Sequence, residues 1–386
     1  LLLDEPTTGL DVTTQAHILE LLRDLARDTG MAMVYVSHDL GAIARVCDRV
    51  EVMYAGEIVL EGTARQVLRD PDHPYARGLL ASIPKLSDKC LPRALDGRPP
   101  APGQAGSGCG FVTRCAIAAD QCRNERPELV QTTGGSRTRC HFPEQVRSIP
   151  LTGEREAGER SLPDALSLDL KDIAISYVVP GLLERLLGRE TNTVATVDGI
   201  DIALRQGETL GLVGESGSGK STILKSIAGL LPPKSGKVML RGQDDLPPRV
   251  EDRAGQHLRQ IQLIFQNPDE SLNPRQTIAQ ILAQPLKLYF GLSGQDLLDR
   301  SAELLDQVRL GAHYLDRLPS QLSGGEKQRV AVARAFAAQP ELVLCDEITS
   351  ALDVSVQAAV LELLDDLRRD KGTSYIFVSN DLAVVK

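Results

Sequence analysis

The residues best suited to chemistry form a glycine-rich loop, Gly214–Ser221, which reads GESGSGKS. An apolar strand is predicted before it at Thr209–Val213, and a helix is predicted after it from about Thr222 to Leu230. Glycines let backbone N–H groups point at phosphate oxygens, and the helix N-terminus adds partial positive charge. Lys220 is expected to reach the β- and γ-phosphates, and Ser221 is expected to ligate Mg²⁺. The alternative is a strand–helix turn without a ligand. The predicted phosphate-binding set is Gly214, Glu215, Ser216, Gly217, Ser218, Gly219, Lys220, Ser221 and Thr222.

Two adjacent acids follow a second apolar strand, where the run Leu342–Glu347 reads LVLCDE. A buried strand would deliver both carboxylates at its carboxyl end. Asp346 is predicted to help bind Mg²⁺, and Glu347 is predicted to polarise an attacking water as a general base. Solvated strand-end acids are the alternative, which the phosphate loop in the same domain makes the weaker explanation.

The same acids occur near the start of the chain as part of an internal repeat. Asp4 aligns with Asp346, an offset of 346 − 4 = 342, and the same offset takes Glu5 to Glu347. Roughly half of the paired residues are identical, far above chance for average composition. The chain therefore contains two homologous domains in tandem. Because the sequence begins without Met and inside the repeated motif, we expect it to be a piece of a longer protein.

Both copies predict the same elements around these acids. A strand at Leu1–Leu3 precedes a helix at about Val12–Arg27 and a buried strand at Ala32–Val36. The second copy predicts a strand, a helix and a buried strand at Leu342–Cys345, about Val354–Arg369 and Ser374–Val378. A strand–helix–strand unit of this length is typical of a parallel crossover.

The segment Leu322–Arg329, LSGGEKQR, resembles the signature motif of ABC-type transport ATPases. In that family, this motif caps the γ-phosphate of ATP bound by the opposing domain. A helix with Ser323 as N-cap and Glu326 at its third position is the alternative, and the two are compatible. The resemblance makes the signature set Leu322, Ser323, Gly324, Gly325 and Glu326.

Other positions match the same family in order. The resemblance implies that Gln266 senses Mg²⁺, that Tyr177 stacks on adenine unless it is a core tyrosine, and that Asp11, Ser350 and Asp353 belong to the loop that crosses the domain interface. It implies ATP and Mg²⁺ as ligands, with Ser221, Asp346 and Gln266 around the metal. It also implies an α/β P-loop fold in tandem, each domain having a mixed α/β core, an antiparallel β subdomain and a helical subdomain, here at about Pro268–Leu322.

Two segments resemble the dipeptide and oligopeptide importer branch, whose close relatives import glutathione or nickel. They are Ser271–Thr277 (SLNPRQT) and Asp72–Leu80 (DHPYARGLL), the second of which also predicts a Pro-capped amphipathic helix. The resemblance implies ATP hydrolysis that drives solute import, with two transmembrane permease subunits and an extracytoplasmic solute-binding protein as partners. It places the chain peripherally on the cytoplasmic side of the inner membrane. The alternatives are a soluble tandem ABC ATPase and an iron–sulfur regulatory protein.

Four cysteines lie close together between the two copies. Cys109, Cys115, Cys122 and Cys140 are separated by five, six and seventeen residues, which is neither a zinc-ribbon nor a ferredoxin spacing. Arginines beside three of them, Arg114, Arg123 and Arg139, are expected to favour thiolates. The segment resembles the cysteine-bearing extension of peptide-importer ATPases, in some of which it holds a [4Fe–4S] cluster. Iron–sulfur, zinc and no metal all stay open. Cys47, Cys90 and Cys345 are expected not to be ligands.

The two copies differ at one position that matters for catalysis. His38 of the first copy corresponds to Asn380 of the second, and in the family this histidine contacts the γ-phosphate and the attacking water. Asn can donate a hydrogen bond but cannot carry a proton near neutral pH. The family pairs its domains head to tail, so a site with Glu5 and His38 would use the second copy's signature. We expect that site to hydrolyse ATP, and a site with Lys220 and Asn380 to turn over slowly.

Composition limits the other functions. The net charge of −9 and the 3% aromatic content disfavour nucleic-acid binding, and no apolar run reaches the length of a membrane span. The predicted organisation is the end of a first nucleotide-binding domain at residues 1–86, the cysteine-bearing extension at 87–150, a linker at 151–166, and a second nucleotide-binding domain, truncated at its C-terminus, at 167–386.

Overall fold

The computed structural model describes residues 1–84, 90–95, 97, 100, 106–151, 162–178, 193–350 and 352–385. The chain divides into two compact units. The first is Leu1–Gly158 with Leu352–Glu362, and the second is Glu159–Ala351 with Leu363–Lys386. None of the described helices is long and apolar enough to cross a bilayer. The domain boundaries given above stay predictions.

In the first unit, a strand, a helix and a strand open the chain. Strands β1 (Leu2–Asp4) and β2 (Val34–Val36) are parallel, and helix α1 (Val12–Thr29) connects them. The remaining elements are α2 (Leu40–Val46), β3 (Arg49–Tyr54), β4 (Glu57–Thr63), α3 (Ala64–Arg69), α4 (Pro74–Ala81), α5 (Asp120–Asn124), β5 (Val130–Gln131) and β6 (Arg137–Thr138). Strands β3–β6 form an antiparallel sheet in the order β3-β4-β6-β5.

The HPY segment, Asp72–Leu80, anchors the cysteine-bearing residues to this sheet. Helix α4 begins with Pro74 and has His73 as its N-cap, as its sequence predicts. The buried Asp72 carboxylate accepts hydrogen bonds from the hydroxyls of Thr132 at 2.9 Å and Ser136 at 2.6 Å. Arg77 donates to the carbonyls of Arg147 and Ile149. Asp72 thus binds side-chain hydroxyls, and Arg77 satisfies backbone carbonyls, of a region that has little regular structure of its own.

The second unit begins with an antiparallel sheet and continues into a parallel one. Its elements are β7 (Leu166–Val178), β8 (Thr193–Arg205), β9 (Thr209–Val213), α6 (Lys220–Ile227), β10 (Ser235–Leu240), β11 (Asp244–Asp245), α7 (Gly255–Gln260), β12 (Ile261–Ile264), α8 (Ile278–Phe290), α9 (Gly294–Gln307), α10 (Gly324–Phe336), β13 (Leu342–Asp346), α11 (Val354–Lys371), β14 (Ser374–Ser379) and α12 (Leu382–Val385). Helix α11 has residues in both units.

The parallel sheet, in the order β12-β13-β14-β9, sets up the site. Strands β13 and β14 are buried along their whole length and pack with β7–β10 and α6 in one apolar core. The antiparallel sheet has the order β11-β10-β7-β8. Helices α8 and α9 lie in the segment predicted to be helical. The mixed core, the antiparallel sheet and the helices match the predicted fold class.

The two copies share one register. Leu2 pairs with Val34 in the first unit, and Leu344 pairs with Ile376 in the second, which is the same pairing after the 342-residue offset. The parallel crossover predicted for both copies is therefore confirmed. The prediction that β2 is buried is wrong: Val34 and Val36 are 58% and 53% exposed. Among the described residues, β1 and β2 make a two-stranded sheet, whereas β13 and β14 have a further strand on each side.

Candidate functional site

The glycine-rich loop lies between β9 and α6, at the carboxyl edge of the parallel sheet. Its strand is observed at the predicted residues, and α6 begins at Lys220, two residues earlier than predicted. The Lys220 side chain is 94% buried, as the residue is 6% exposed, and its ammonium donates to the carbonyls of Gly214 at 2.7 Å and Glu215 at 2.8 Å. The positive charge is therefore held inside the loop that is expected to surround the phosphates.

Gly219 explains why this turn requires glycine. Its φ of 97° lies in the left-handed region, and a Cβ there would be 2.9 Å from Cγ2 of Val197 and 3.2 Å from the carbonyl oxygen of Thr196. Both the conformation and the space exclude a side chain. With no side chain over it, the backbone at the N-terminus of α6 stays open to an anion.

The ends of β13 and of α6 bring the predicted metal ligands together. The Ser221 hydroxyl donates to Asp346 Oδ1 at 2.7 Å, although 125 residues separate them in sequence. Gln266 follows β12, the strand beside β13, but its amide donates to Glu347 Oε2 at 3.0 Å and to Ser350 Oγ at 3.2 Å. Ser221 and Asp346 thus form a pair suited to Mg²⁺, while Gln266 contacts the neighbouring acid.

Glu347 is held in an unusual conformation beside these groups. Its φ is 46°, and its N–H donates to the carbonyl of Val378 on β14 at 3.1 Å. Burial raises the pKa of its carboxyl, and the Lys220 charge and a hydrogen bond from Asn380 oppose that rise. A carboxylate with a raised pKa accepts a proton more readily, which suits a general base.

The equivalent acid in the first unit is held differently. Glu5 has the same backbone conformation, with φ of 45° and an N–H that donates to Val36 at 2.9 Å. Its Oε1 lies 2.8 Å from Nδ1 of His38, and this hydrogen bond is the largest cause of a lowered Glu5 pKa. Glu5 and His38 therefore meet as the repeat implies.

In the second unit, Asn380 takes the histidine's place. Its side chain donates to Glu347, while its Oδ1 is buried and has no hydrogen-bond partner among the described residues. The Asn380 amide therefore uses only its N–H donor. The second unit keeps a hydrogen bond to Glu347, but the partner of Glu347 at this position cannot gain or lose a proton near neutral pH.

The signature segment starts a helix, as the capping pattern predicts. Ser323 is the N-cap of α10, its N–H donates to Glu326 Oε2 at 2.9 Å, and its hydroxyl accepts from the N–H of Glu326 at 3.4 Å. The Tyr314 hydroxyl also donates to Glu326, at 2.6 Å. The cap holds Gly324 and Gly325 in the first turn, at the end of a helix dipole.

The remaining predicted positions are found at helix starts or outside the described part of the chain. Asp11 caps α1 through the N–H groups of Thr13 and Thr14, and Asp353 accepts from the N–H of Val356 at 3.1 Å. The hydroxyl of Ser350 donates to the carbonyl of Glu347 at 2.9 Å. Tyr177 lies in β7, one residue before its end, and its side chain lies outside the described residues.

The four clustered cysteines line one small cavity in the first unit, together with His73 and Phe111. Within the described residues, no group of three or more His, Cys, Asp or Glu is placed to hold a metal ion. All four are free thiols. Cys345 is fully buried in β13, as expected of a core residue.

The expectation that arginines favour thiolates in this cavity is wrong. Burial raises the pKa of Cys115 to about 11 and that of Cys140 to about 12. The Arg114 guanidinium donates to Tyr54 and Leu95, and that of Arg139 donates to the carbonyls of Ile58 and Pro127. Adjacency in sequence does not decide which way a long side chain points.

Sequence reasoning missed the contacts that hold the Gln266 loop. Lys327 of α10 donates to both carboxylate oxygens of Asp269, at 2.8 and 3.1 Å, across 58 residues of sequence. Arg334 on the same helix donates to the carbonyl of Ser271. The sequence signal for these contacts was weak. It consisted of two cations, Lys327 and Arg334, spaced seven residues apart in a predicted helix.

Comparisons with known proteins agree with this geometry. Residues 197–350 match the family described as ABC transporter, and residues 60–122 match the one described as oligopeptide/dipeptide transporter, C-terminal region. The whole chain aligns at 40% identity with the oligopeptide transport ATP-binding protein OppD of Mycobacterium tuberculosis, covering 64% of that protein. Residues 197–350 of this chain are therefore similar to the ABC transporter family. The family implies ATP and Mg²⁺ as ligands.

Further relatives of this chain include the glutathione import ATP-binding protein GsiA of Escherichia coli. It is 37% identical over the whole chain, which covers 54% of it. The chain thus spans between about half and two thirds of the length of these curated relatives. A solved dimeric structure of the ATP-binding cassette MJ0796 with ADP and Pi aligns over 56% of this chain and 90% of its own, at 29% identity and a TM-score of 0.48.

Proposed function

We propose that this chain is the ATP-binding and ATP-hydrolysing part of an importer for di- or oligopeptides or related small solutes. The observation that supports this most is the meeting of the phosphate loop, Asp346 and Glu347 at one edge of the parallel sheet. The oligopeptide/dipeptide match at residues 60–122 and the likeness to OppD and GsiA support the solute class. The chain would act at the cytoplasmic face of the inner membrane with two permease subunits and an external solute-binding protein.

The loop residues would bind the nucleotide in the second unit. The N–H groups of residues 214–219 and the start of α6 would face the phosphates, and Lys220 would give up its two carbonyl partners for the β- and γ-phosphates. Ser221, Asp346 and Gln266 are the residues that would hold Mg²⁺, which neutralises phosphate charge when bound. Tyr177 would stack on adenine, as the family resemblance implies, unless it is a core tyrosine.

Glu347 would activate the attacking water. It takes a proton from the water as the oxygen forms a bond to the γ-phosphorus, and the bond from that phosphorus to the β–γ bridging oxygen breaks, which releases ADP and phosphate. Its raised pKa fits this role because burial makes the carboxylate a stronger base. In the first copy, Glu5 would accept the proton, and His38, 2.8 Å from it, would position the water rather than raise the pKa of the acid. The signature residues and the loop residues Asp11, Ser350 and Asp353 would complete sites on the opposing domain.

Reconstitution with the membrane subunits tests the transport proposal. We expect the complete protein to co-purify with two permease subunits, and its ATPase rate to rise when a solute-loaded binding protein is added. A matched preparation with Glu5→Gln and Glu347→Gln should still co-purify but lose the stimulated rate. An ATPase rate that ignores the permeases, with no co-purification, would instead indicate a soluble ABC ATPase.

The four-cysteine cavity is our second proposal, as the site of a [4Fe–4S] cluster. Four thiols lining one cavity are soft ligands of the kind that iron–sulfur clusters and zinc use. In the described residues, these thiols do not form a ready ligand group, so binding requires their side chains to turn toward one another. This proposal concerns structure in the first unit and is independent of ATP hydrolysis.

Anaerobic purification tests the cluster. We expect absorbance near ~400 nm, with iron and sulfide in stoichiometric amounts, because thiolate-ligated clusters absorb there. Cys140→Ser should remove the absorbance, and Cys90→Ser, outside the cavity, should keep it. A colourless protein that contains zinc would refute the iron–sulfur cluster and make the cavity a zinc site. A colourless, metal-free protein with an intact fold would refute metal binding.

A further inference from the structure

Helix α10 makes two contacts with the segment that follows Gln266. Lys327 forms an ion pair with Asp269, and seven residues further along the helix Arg334 donates to the carbonyl of Ser271. Seven residues are close to two helical turns, so both cations lie on one face. They hold the turn at residues 268–271 near its two ends. The SLNPRQT segment begins at this turn.

The turn is closed by its own hydrogen bonds and directly follows the loop that carries Gln266. Asn267 caps it by accepting from the N–H of Asp269 at 3.0 Å, and the N–H groups of Ser271 and Leu272 both donate to the carbonyl of Pro268 at 3.0 Å. Gln266, one residue before the cap, donates to Glu347 and Ser350. The contacts of α10 therefore lie within a few residues of the side chain that donates to the proposed base.

The start of α10 is fixed on two sides by neighbouring residues. Glu326 accepts from the Ser323 N–H and from the Tyr314 hydroxyl, whereas Lys327 binds Asp269. The Lys327 side chain is 20% exposed, and Arg334 is largely buried, so this is not a pair of solvated surface charges. Burial of Arg334 lowers its pKa, in keeping with a guanidinium committed to one carbonyl in a dry setting.

We infer that Lys327 and Arg334 are positioning residues that tie the signature helix to the Gln266 loop, so that Ser323–Gly325 and Gln266 move together. This rests on the proposed ATPase function. The turn at residues 268–271, which leads into the SLNPRQT segment, then has a defined role, which is to present Asp269 and the Ser271 carbonyl to α10. Neither cation touches the nucleotide in this scheme, so their loss should alter turnover while leaving nucleotide binding in place.

A charge swap tests this link in the complete protein. We expect Lys327→Glu and Asp269→Lys each to lower kcat for ATP by about threefold, as for a half-exposed ion pair, with an unchanged KM. The double variant with both changes should recover most of the loss. Lys287→Glu, an exposed charge reversal on α8, should have no effect. A double variant no better than either single, or an equal loss in Lys287→Glu, would overturn the link.

Hydrogen exchange separates failure of this link from failure of the proposed function. In Lys327→Glu we expect faster exchange of the N–H groups at Ser271 and Leu272, whether or not the protein hydrolyses ATP. A wild-type protein without ATPase activity would refute the proposed function and leave this measurement readable. Unchanged exchange at both positions in the variant would refute the link itself.

Discussion

Replacing Lys220 with alanine should weaken ATP binding by this 386-residue chain at least about 100-fold. The ammonium now satisfies the carbonyls of Gly214 and Glu215 from a 94% buried position, since the residue is 6% exposed. It is thus placed to exchange those partners for phosphate oxygens. Two charge-assisted hydrogen bonds contribute on the order of 3–6 kcal/mol together, which corresponds to roughly a hundredfold or more in Kd. This sequence contains a single GESGSGKS loop, so a titration with ATP measures the Kd of that one loop.

Lys225→Ala is the matched control, because Lys225 lies on the same helix and is exposed. It should leave the Kd for ATP unchanged, and the circular dichroism of both variants should match that of the wild type. Equal affinities of Lys220→Ala and the wild type would mean that the loop does not bind phosphate through this lysine. Equal losses in both variants would point to general damage of α6 rather than to a role at the site.

Elements with a local signal could be predicted closely from the sequence. The strand at Thr209–Val213 and the Ser323 cap depend on neighbouring residues, through apolar patterning and a capping box, and both are observed. The strand ends at Asp4 and Asp346 lie one residue beyond the predicted ends. An apolar pattern stops at the acid, whereas the backbone hydrogen bonds of the strand include it.

Contacts between distant residues could not be predicted in the same way. The partners of Gln266 and the Lys327–Asp269 pair depend on packing between elements up to 84 residues apart. The raised pKa values of Cys115 and Cys140 depend on burial, which a spacing of cysteines does not contain. The exposure of β2 depends on how many strands its sheet has, although its register could be read from the repeat.

The second large effect should distinguish the two copies. His38→Ala should lower the ATPase rate of the complete protein by about 100-fold, the size expected when a positioned acid–base partner is lost. His38 lies 2.8 Å from Glu5, so its removal takes away the side chain that holds the proposed base and that the family resemblance places at the γ-phosphate and the attacking water. Asn380→Ala should cost far less, because Asn380 contributes one donor to Glu347 and its Oδ1 has no partner in the part of the chain that the structure describes.

Asn380→His tests whether a histidine speeds turnover in the second copy. It should keep a hydrogen bond to Glu347. Because Glu347 already has the backbone conformation of Glu5, a histidine at 380 should meet it as His38 meets Glu5 and raise the ATPase rate several-fold. The rates are measured at saturating ATP with the permease subunits present, so that binding and coupling do not limit them. Equal losses in His38→Ala and Asn380→Ala, or no gain in Asn380→His, would refute the asymmetry. A gain in Asn380→His that survives His38→Ala would show that the second copy's slow turnover results from this single amide.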